Sequence, residues 1–197
     1  MQRSPHTLLL PILAGAALLS LLYVYLGPQG GLSLLREQGK TISSQSTSPT
    51  GAPVRLKIPK ITVDAAIEYV KIAPDGKMDT PKNLDDVAWY EPGVRPGEEG
   101  SAVIAGHYGW VKGKGLVFGD LHTLRMGDKI YIEDDTGKVI SFVVRESRRY
   151  DPEADTEDVF VSNDGKAHLN LITCDGSWNT AQQSYSERLV VFADKEE

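Results

Sequence analysis

The sequence predicts a mainly β domain, either a sandwich or a barrel, preceded by an N-terminal transmembrane helix and a flexible linker. Three observations support this prediction: many short strand patterns separated by turn residues, an uncharged apolar run near the N-terminus, and a polar segment between the two. The chain has 197 residues, which is enough for one domain and an appended segment. Its net charge of -6 argues against a nucleic-acid partner, because proteins that bind nucleic acids usually present a basic surface.

The N-terminal run TLLLPILAGAALLSLLYVYL, residues 7–26, contains no charged side chain. A helix that rises about 1.5 Å per residue over this length just crosses a hydrocarbon core of about 30 Å. A cleaved signal peptide and a buried core helix are the alternatives, but the run exceeds the usual signal-peptide length and no Ala-x-Ala site follows it. We therefore expect an uncleaved membrane anchor.

The basic residues around this run predict its orientation. Arg3 precedes the run, and the next Lys or Arg along the chain is Arg36. The positive-inside rule then places residues 1–6 in the cytoplasm and the rest of the chain outside the cell membrane. Residues 27–53 are rich in Ser, Thr, Gly and Pro and predict a flexible linker, which leaves residues 54–194 as the domain and 195–197 as a tail.

Short runs rich in β-branched residues predict the strands of the domain. A turn-forming segment, Asp134-Asp135-Thr136-Gly137, separates two of these runs and favours a hairpin. The predicted strands are residues 54–63, 101–107, 128–134, 138–147, 167–174 and 187–193.

Two short helical segments are predicted besides the strands. Residues 83–91, NLDDVAWYE, carry acidic residues where a helix would begin and stop before Pro92. Phe118, Leu121 and Leu124 are spaced three apart, which predicts one helical turn packed against the core.

The only cysteine, Cys174, ends the apolar run HLNLITC and precedes Asp175-Gly176, which predict a turn. One cysteine cannot form an intramolecular disulfide, so the residue is either a small buried hydrophobe or a reactive thiol, and its position favours neither. A reactive thiol needs activation, since only about 3% of an unperturbed thiol is ionised at pH 7. A histidine within hydrogen-bond reach is the usual activating group.

Geometry restricts which of the four histidines could activate Cys174. His6 precedes the predicted membrane span, and His168 lies on the same strand as Cys174, about 20 Å away at about 3.3 Å per residue. His122 lies beside the predicted helical turn, where a structural or solvent-exposed role is favoured. His107 follows the strand SAVIAG and so lies, like Cys174, where a strand gives way to a loop. We therefore predict His107 as the partner.

Arg188 shares one face of its predicted strand with Val190 and Phe192. A charged residue in this position is either solvated at an edge, which the pattern alone favours, or points into a cleft. In a cleft near a thiol it would stabilise the oxyanion that forms when a thiolate attacks a carbonyl.

The acidic stretch DPEADTED, residues 151–158, precedes a predicted strand. Oxygen ligands suit Ca²⁺, which gives a candidate calcium site, although an exposed acidic loop without metal is the commoner outcome of such a pattern. We expect no other cofactor. The candidate ligands are Asp151, Glu153, Asp155, Glu157 and Asp158.

Three motifs in this order resemble the sortases, which are membrane-anchored cysteine transpeptidases of Gram-positive-type cell surfaces. They are AGHYGW at residues 105–110, LITC at 171–174 and SERLVVFA at 186–193. The resemblance extends over residues 54–194 and includes LKIPKI, VAWY and FGDLHTLRMGD. It implies a single closed eight-stranded β-barrel with one or two short helices.

The resemblance also implies roles for individual residues. Cys174 matches the nucleophile, His107 the general acid and base, and Arg188 the arginine that positions substrate or stabilises the oxyanion. Thr173 matches the threonine before the cysteine in the family signature T-L-x-T-C, whereas Asn170 replaces the first threonine of that signature. Thr173 is therefore a candidate substrate-binding residue.

Aromatic residues give further candidates for the substrate groove, although core packing explains each of them equally well. Trp110 follows the histidine motif, and Trp178 and Tyr185 lie between the predicted nucleophile and arginine. Of the three, Trp110 is the one we take as a substrate-binding candidate.

By resemblance, the implied function is cleavage of an LPxTG-like sorting signal through a thioester of Cys174. The acyl group then passes to an amine of a peptidoglycan precursor, a pilin or another surface protein. The short loop between Cys174 and Arg188 and the lack of an evident lid segment favour a small N-anchored class, such as D, E or F. A non-catalytic anchored binding or adhesion barrel and a purely hydrolytic cysteine peptidase are the alternatives.

Overall fold

A computed structural model describes residues 50–197 of the chain. The predicted cytoplasmic N-terminus, the membrane anchor at residues 7–26 and nearly all of the predicted linker lie outside the described residues. Within residues 50–197, no helix is long and apolar enough to cross a membrane.

The described residues form ten strands, one short α-helix and two 3₁₀ turns. The 3₁₀ turns are Pro59–Ile61 and Leu121–Thr123, and α1 is Glu157–Phe160. The strands are β1 Pro53–Ile58, β2 Val63–Val70, β3 Val87–Tyr90, β4 Gly100–Gly106, β5 Trp110–Val111, β6 Lys114–Gly115, β7 Lys129–Asp134, β8 Val139–Tyr150, β9 Ala167–Asn179 and β10 Ser184–Lys195.

Eight of these strands close into a barrel in the order β1-β2-β3-β4-β9-β10-β8-β7, and β7 pairs with β1 to complete the ring. The pairs β2–β3 and β4–β9 are parallel, and the other neighbours are antiparallel. The strands β5 and β6 form a separate small hairpin. The structure confirms a barrel rather than a sandwich, with the eight strands that the resemblance implied.

Apolar side chains pack on both sides of the strands β4, β9 and β10. Leu171 and Val191 belong to the large cluster that also contains Leu56, Ile132 and Phe142. The neighbouring residues along β9 and β10 face the other side of the sheet and belong to a second cluster. The helix α1 covers this side. The buried members of this second cluster are Val103, Val159, Val190 and Phe192. Burial on both faces explains why these strands are nearly continuous apolar runs rather than alternating patterns.

Two of the predicted short elements and the predicted hairpin can be compared directly with the structure. The helix predicted at residues 83–91 is wrong, because Val87–Tyr90 is the strand β3. This strand pairs with β2 and β4, and the barrel buries Val87, Ala88 and Trp89, so packing overrides the helix-like pattern. The predicted turn at residues 118–124 is confirmed by the 3₁₀ turn Leu121–Thr123, and the hairpin at residues 134–137 is confirmed between β7 and β8.

The predicted end of the cysteine strand is also wrong. The strand β9 continues past Cys174 to Asn179, and β10 begins at Ser184. The Asp-Gly pair that predicted a turn forms a bulge instead: Gly176 has a φ of 80°, and the register with β10 shifts between Tyr185 and Glu187. Cys174 therefore lies inside a strand rather than at its end.

The carboxylate of Asp134 organises the β7–β8 hairpin. It is buried and accepts hydrogen bonds from the backbone N–H groups of Gly51, Thr136 and Lys138 and from the Thr136 hydroxyl. The hydroxyl bond, followed by the backbone bonds, lowers the pKa of Asp134 below its ordinary value. A carboxyl whose pKa is lowered by folding stabilises the fold above its unfolded-state pKa of about 3.9 and loses that contribution as the pH falls.

We predict that Asp134→Ala lowers the melting temperature by several degrees at pH 7, because three backbone donors lose their acceptor. The difference from the wild type should shrink as the pH falls below about 4, where the carboxyl is protonated first in the unfolded chain and, at lower pH, in the folded protein. Thermal unfolding at pH 7 and pH 3 measures both effects. Asp75→Ala is the control, since that exposed carboxylate accepts only from the nearby Lys77 N–H. A gap between Asp134→Ala and wild type that is as large at pH 3 as at pH 7 would contradict this account.

Candidate active site

The three predicted catalytic residues lie on or directly after neighbouring strands of the barrel. In the parallel pair β4–β9, Ala105 is opposite Ile172, so two further residues along each strand bring His107 level with Cys174. In the antiparallel pair β9–β10, Cys174 is directly opposite Arg188. Cys174 and Arg188 are therefore neighbours on β9 and β10, and His107 directly follows the end of β4, the strand on the other side of β9.

A hydrogen bond from Thr173 fixes this register next to Cys174 and His107. The Thr173 side chain is buried, and its hydroxyl donates a hydrogen bond to the Gly106 carbonyl at 2.8 Å. This bond joins the residue before Cys174 to the residue before His107. Thr173 also borders the cavity described below, but its hydroxyl is engaged in holding the two strands together.

His107 is held at both its backbone and its ring. Its carbonyl accepts a hydrogen bond from the Phe118 N–H at 3.0 Å, and its Nε2 lies 2.7 Å from the Pro81 carbonyl oxygen. Because a carbonyl oxygen can only accept, Nε2 must carry a hydrogen. Nδ1 is then the ring nitrogen that can exchange a proton with another group.

The Cys174 thiol is free and partly exposed, and its side chain lies on the outer face of β9, on the same side as Ile172. No hydrogen bond joins Cys174 to His107 among the described residues, so strand register alone brings the two groups to the same level. Catalytic hydrogen bonds are often long before substrate binds, and this arrangement is compatible with a thiol–imidazole pair.

Arg188 is half-buried and, together with Cys174, lines the cavity described in the next paragraph. Its side chain therefore lies in a cleft rather than solvated at a strand edge. Its Nη1 donates to the carbonyls of Tyr185 and Glu187 at 3.2 and 3.0 Å. A guanidinium has five N–H donors, and those on Nε and Nη2 have no protein partner within residues 50–197. The side chain is thus anchored by the β9–β10 hairpin, and donors remain to bind an oxygen of a substrate.

A cavity of about 730 Å³ on the outer face of the barrel leads to Cys174 and Arg188. Its floor is the outer face of β9 and β10, and α1 with the residue after it forms one wall. Apolar surface of this kind, ending at a thiol and a cation, fits an extended peptide with apolar side chains and a reactive carbonyl. The larger apolar side chains that line it are Ile72, Met78, Tyr90, Val159, Phe160, Val161, Ile172 and Val190.

Comparison with known proteins agrees with this geometry. The family model for the Sortase domain matches residues 56–196, a segment that contains His107, Cys174 and Arg188. The chain belongs to the sortase family. Comparison with curated protein sequences gives no match.

Solved structures of other sortases share the fold. Sortase C1 of Streptococcus agalactiae, solved as a complex with MTSET, is 28% identical with a TM-score of 0.58, and the match covers 73% of this chain and 67% of that one. Sortase C-1 from Actinomyces oris is 24% identical with a TM-score of 0.59, covering 74% and 75%. Sortase A from Corynebacterium diphtheriae is 22% identical with a TM-score of 0.57, covering 77% and 63%.

The predicted family is therefore confirmed. Sortases are cysteine transpeptidases and need no cofactor. The last two structural matches are below 25% identity and bear on the fold alone. This sortase spans about two thirds of the Streptococcus agalactiae sortase C1 chain, so its own activity, substrates and class are treated as proposals below.

The other two histidines of the described domain are placed away from Cys174. His122 lies in the 3₁₀ turn after Phe118 and is exposed. His168 is buried at the start of β9, with Nδ1 2.8 Å from Asp194 and Nε2 3.0 Å from Asp164. Its hydrogen bond lowers the pKa of Asp164 to about 2. His168 is thus a buried side chain held between two partly exposed carboxylates.

The aromatic candidates do not line the cavity. Trp110 is 69% exposed on the small β5–β6 hairpin and is not among the residues that line the cavity. Trp178 and Tyr108 each contact the Tyr185 ring edge-on, with ring centroids 5.1 and 5.2 Å apart. This stack packs the β9–β10 hairpin against the loop that follows His107.

Four of the five candidate calcium ligands accept hydrogen bonds or ion pairs from protein donors. Asp151 and Asp155 accept from the backbone N–H groups of Glu153 and Glu157. Asp158 accepts from the Tyr150 hydroxyl and from Arg148, and Glu153 pairs with Lys77 at 2.8 Å. Within residues 50–197, no group of three or more acidic, histidine or cysteine side chains is placed to hold a metal ion. The stretch instead leads into α1.

Several site features were not predicted from the sequence. The Pro81 carbonyl that orients His107 is a backbone atom and leaves no sequence signal. The apolar wall from α1 directly follows the acidic stretch, and Val159 and Phe160 were the only sign of it in the sequence. The floor residues Ile172 and Val190 were detectable, because their strands are apolar at successive positions and so are covered on both faces.

We predict that Thr173→Val lowers the free energy of unfolding by about 1 kcal/mol, the typical contribution of one hydrogen bond. It should also slow reaction of the Cys174 thiol with a substrate peptide, because the strand end that carries His107 loses its link to β9. Urea unfolding and the rate of acyl-enzyme formation measure the two effects. Thr173→Ser keeps the hydroxyl and should resemble the wild type. Equal acylation rates for the valine and serine variants would show that the bond does not position the site.

Proposed function

We propose that this sortase is a membrane-anchored transpeptidase that cleaves an LPxTG-like sorting signal and transfers the acyl group to an amine. The observation that carries the proposal is the register of β4, β9 and β10: Cys174 and Arg188 are opposite each other and line an apolar cavity, and His107 follows the end of the neighbouring strand. A buried, inert thiol would not need a histidine at the same level and a guanidinium with unengaged donors. The arrangement therefore favours catalysis over a passive binding barrel.

The proposed first step is acylation. The Cys174 thiol passes its proton to Nδ1 of His107, and its sulfur attacks the carbonyl carbon of the threonine in the Thr–Gly bond. The carbonyl oxygen becomes an oxyanion that accepts hydrogen bonds from Arg188. His107 gives a proton from Nδ1 to the departing glycine amine while Nε2 stays bonded to the Pro81 carbonyl. The C–N bond breaks, and a thioester on Cys174 remains.

The proposed second step reverses these roles. An incoming amine attacks the thioester carbonyl, and His107 Nδ1 takes the proton that the amine loses. The C–S bond breaks, Cys174 leaves as the thiolate and a new amide forms. A peptidoglycan precursor, a pilin or another surface protein would supply the amine. Reaction with water instead would make the enzyme a hydrolytic peptidase.

The chemistry of the cavity supports an LPxTG-like donor. Apolar side chains line it up to the position of Cys174, which suits the Leu-Pro part of such a signal. The anchor at residues 7–26, with the catalytic domain on the extracellular side, is part of the proposal, since a surface-bound acceptor requires the enzyme to face outward.

We also propose a small N-anchored class of the D, E or F kind. The hairpin between Cys174 and Arg188 is short: β9 ends at Asn179 and β10 begins at Ser184. Solved neighbours include sortases named C and A, among them a lid mutant of Streptococcus agalactiae sortase C1. Incubation with a pilin subunit and, separately, with a cell-wall amine tests the class: pilin polymerisation would overturn it.

We predict that Cys174→Ala abolishes the thioester with an LPxTG peptide. Mass spectrometry of the intact wild-type protein mixed with the peptide should show an added acyl group, which an added amine such as triglycine then converts to a ligated peptide. The free acid as the sole product, even with excess amine, would favour the hydrolytic alternative. Turnover by Cys174→Ala would eliminate the proposed nucleophile.

We predict that Arg188→Ala slows acylation by roughly 10²- to 10³-fold, the loss typical of one oxyanion donor. Arg188→Lys keeps the charge but has no planar fork to bind two carbonyls and a substrate oxygen together, so it should lie between alanine and wild type. Quenched-flow mass spectrometry of the acyl-enzyme gives the rates. An alanine variant that acylates within twofold of the wild type would show that Arg188 is not an oxyanion donor.

A further inference from the structure

The wall of the cavity contains an element that cannot be stable by itself. The helix α1 is only four residues long, Glu157–Phe160, and Thr156 provides no side-chain cap at its start. Helices of this length do not form in isolation, because nucleation is unfavourable. Yet α1 and the residue after it contribute Val159, Phe160 and Val161 to the cavity lining. Contacts with the barrel must therefore hold this wall in place.

Side chains from the barrel bond α1 at two of its residues. Asp158 accepts hydrogen bonds from the Tyr150 hydroxyl at 2.7 Å and from Arg148 at 3.0 Å, both in exposed surroundings. The Val159 carbonyl accepts a hydrogen bond from Asn170 Nδ2 at 2.6 Å, and this bond is buried. Exposed ion pairs contribute little, whereas a buried hydrogen bond is costly to break. Asn170 is therefore the principal polar anchor of α1.

Asn170 is unusual in its surroundings. It lies on β9 four residues before Cys174 and is 2% exposed, and its Oδ1 has no hydrogen-bond partner among the described residues. An unpaired buried acceptor costs free energy, so stability alone would not favour an amide at this position. The T-L-x-T-C signature that the sequence resembles has threonine there, whose hydroxyl is one bond closer to the backbone than the Asn170 amide. The Asn170 amide reaches the Val159 carbonyl and donates a hydrogen bond to it.

We propose that Asn170 is a positioning residue that fixes the α1 wall and thereby sets the selectivity of this enzyme for the large apolar side chain of its donor peptide. The inference rests on the proposed sorting-signal function. Val159 is packed against Val190, and the Phe160 ring meets the Tyr90 ring edge-on at a centroid distance of 5.6 Å. Leu is the one large aliphatic side chain in an LPxTG motif, so it gains most from a fixed apolar wall.

Asn170→Leu is the variant that tests this role. Leucine has nearly the shape of asparagine but neither the donor to Val159 nor the unpaired acceptor, so it releases α1 while filling the same volume. KM and kcat are measured for transpeptidation of an LPxTG peptide and of its APxTG counterpart, with triglycine as the amine.

We expect KM for the LPxTG peptide to rise roughly five- to tenfold, with kcat within about twofold of the wild type, because the register of β4, β9 and β10 is unchanged. The preference for LPxTG over APxTG should fall by a similar factor. Hydrogen exchange provides a readout that does not depend on activity: the backbone amides of Val159 and Val161 should exchange faster than in the wild type.

Ile132→Val is the matched control, since it removes one methylene from the barrel interior, away from the cavity. It should lower the melting temperature without altering KM or the LPxTG preference. Asn170→Ser, which is smaller and shorter, serves as the second variant if Asn170→Leu folds poorly by circular dichroism.

The outcomes separate the two levels of the proposal. If the wild type forms no thioester with any LPxTG peptide, the sorting-signal function fails and the role of Asn170 fails with it. If the wild type is active but the Asn170 variants keep its KM and its LPxTG preference, only the role of Asn170 is overturned. A loss of melting temperature or of kcat without a change in KM would overturn it as well, because it would show a structural effect or an effect on the nucleophile.

Discussion

The parallel pairing of β4 with β9 is the constraint on which the proposed site depends. The two strands are far apart in the chain, and the Thr173–Gly106 hydrogen bond that ends their pairing spans 67 residues. A slip of one residue would turn Ile104 and Leu171 from the barrel interior to its outside, so burial selects the register strongly. The alignment of His107 with Cys174 then follows from core packing rather than from any direct bond between them.

The same strands also build the cavity beside Cys174, because they are apolar on both faces. The inner residues of β9 and β10 fill the barrel, whereas Ile172 and Val190 on the outer face form the cavity floor. An apolar outer face must be covered, and α1 covers one part while the remainder is left for a ligand. The core and the cavity therefore share their strands, and a change in strand register would disturb both.

The sequence was most informative where a pattern is local. Runs rich in β-branched residues predicted six of the eight barrel strands. The exclusion of His6, His122 and His168 left His107, which directly follows the strand beside β9. It misled at β3, because a short strand buried on both faces does not alternate, and the acidic residues before it resemble the start of a helix. Contacts between distant segments, such as Asn170 with the Val159 carbonyl, have no local pattern from which they could be predicted.

The bulge after Cys174 explains both the wrong turn prediction and the position of the arginine. Asp-Gly favours a turn, but Gly176 uses its positive φ to add an unpaired residue to β9, and the strand then continues beside β10. A side chain at position 176 would collide with the Ser186 hydroxyl, so glycine is required there. With glycine present, the Ser186 hydroxyl accepts a hydrogen bond from the Ser177 N–H. Because the hairpin continues, the carbonyls of Tyr185 and Glu187 lie within reach of the Arg188 guanidinium and hold it. A strand that ended at Cys174 would expose the thiol equally well but would leave the guanidinium unanchored. The bulge therefore lets β9 carry an accessible thiol and continue into the hairpin that holds the Arg188 guanidinium.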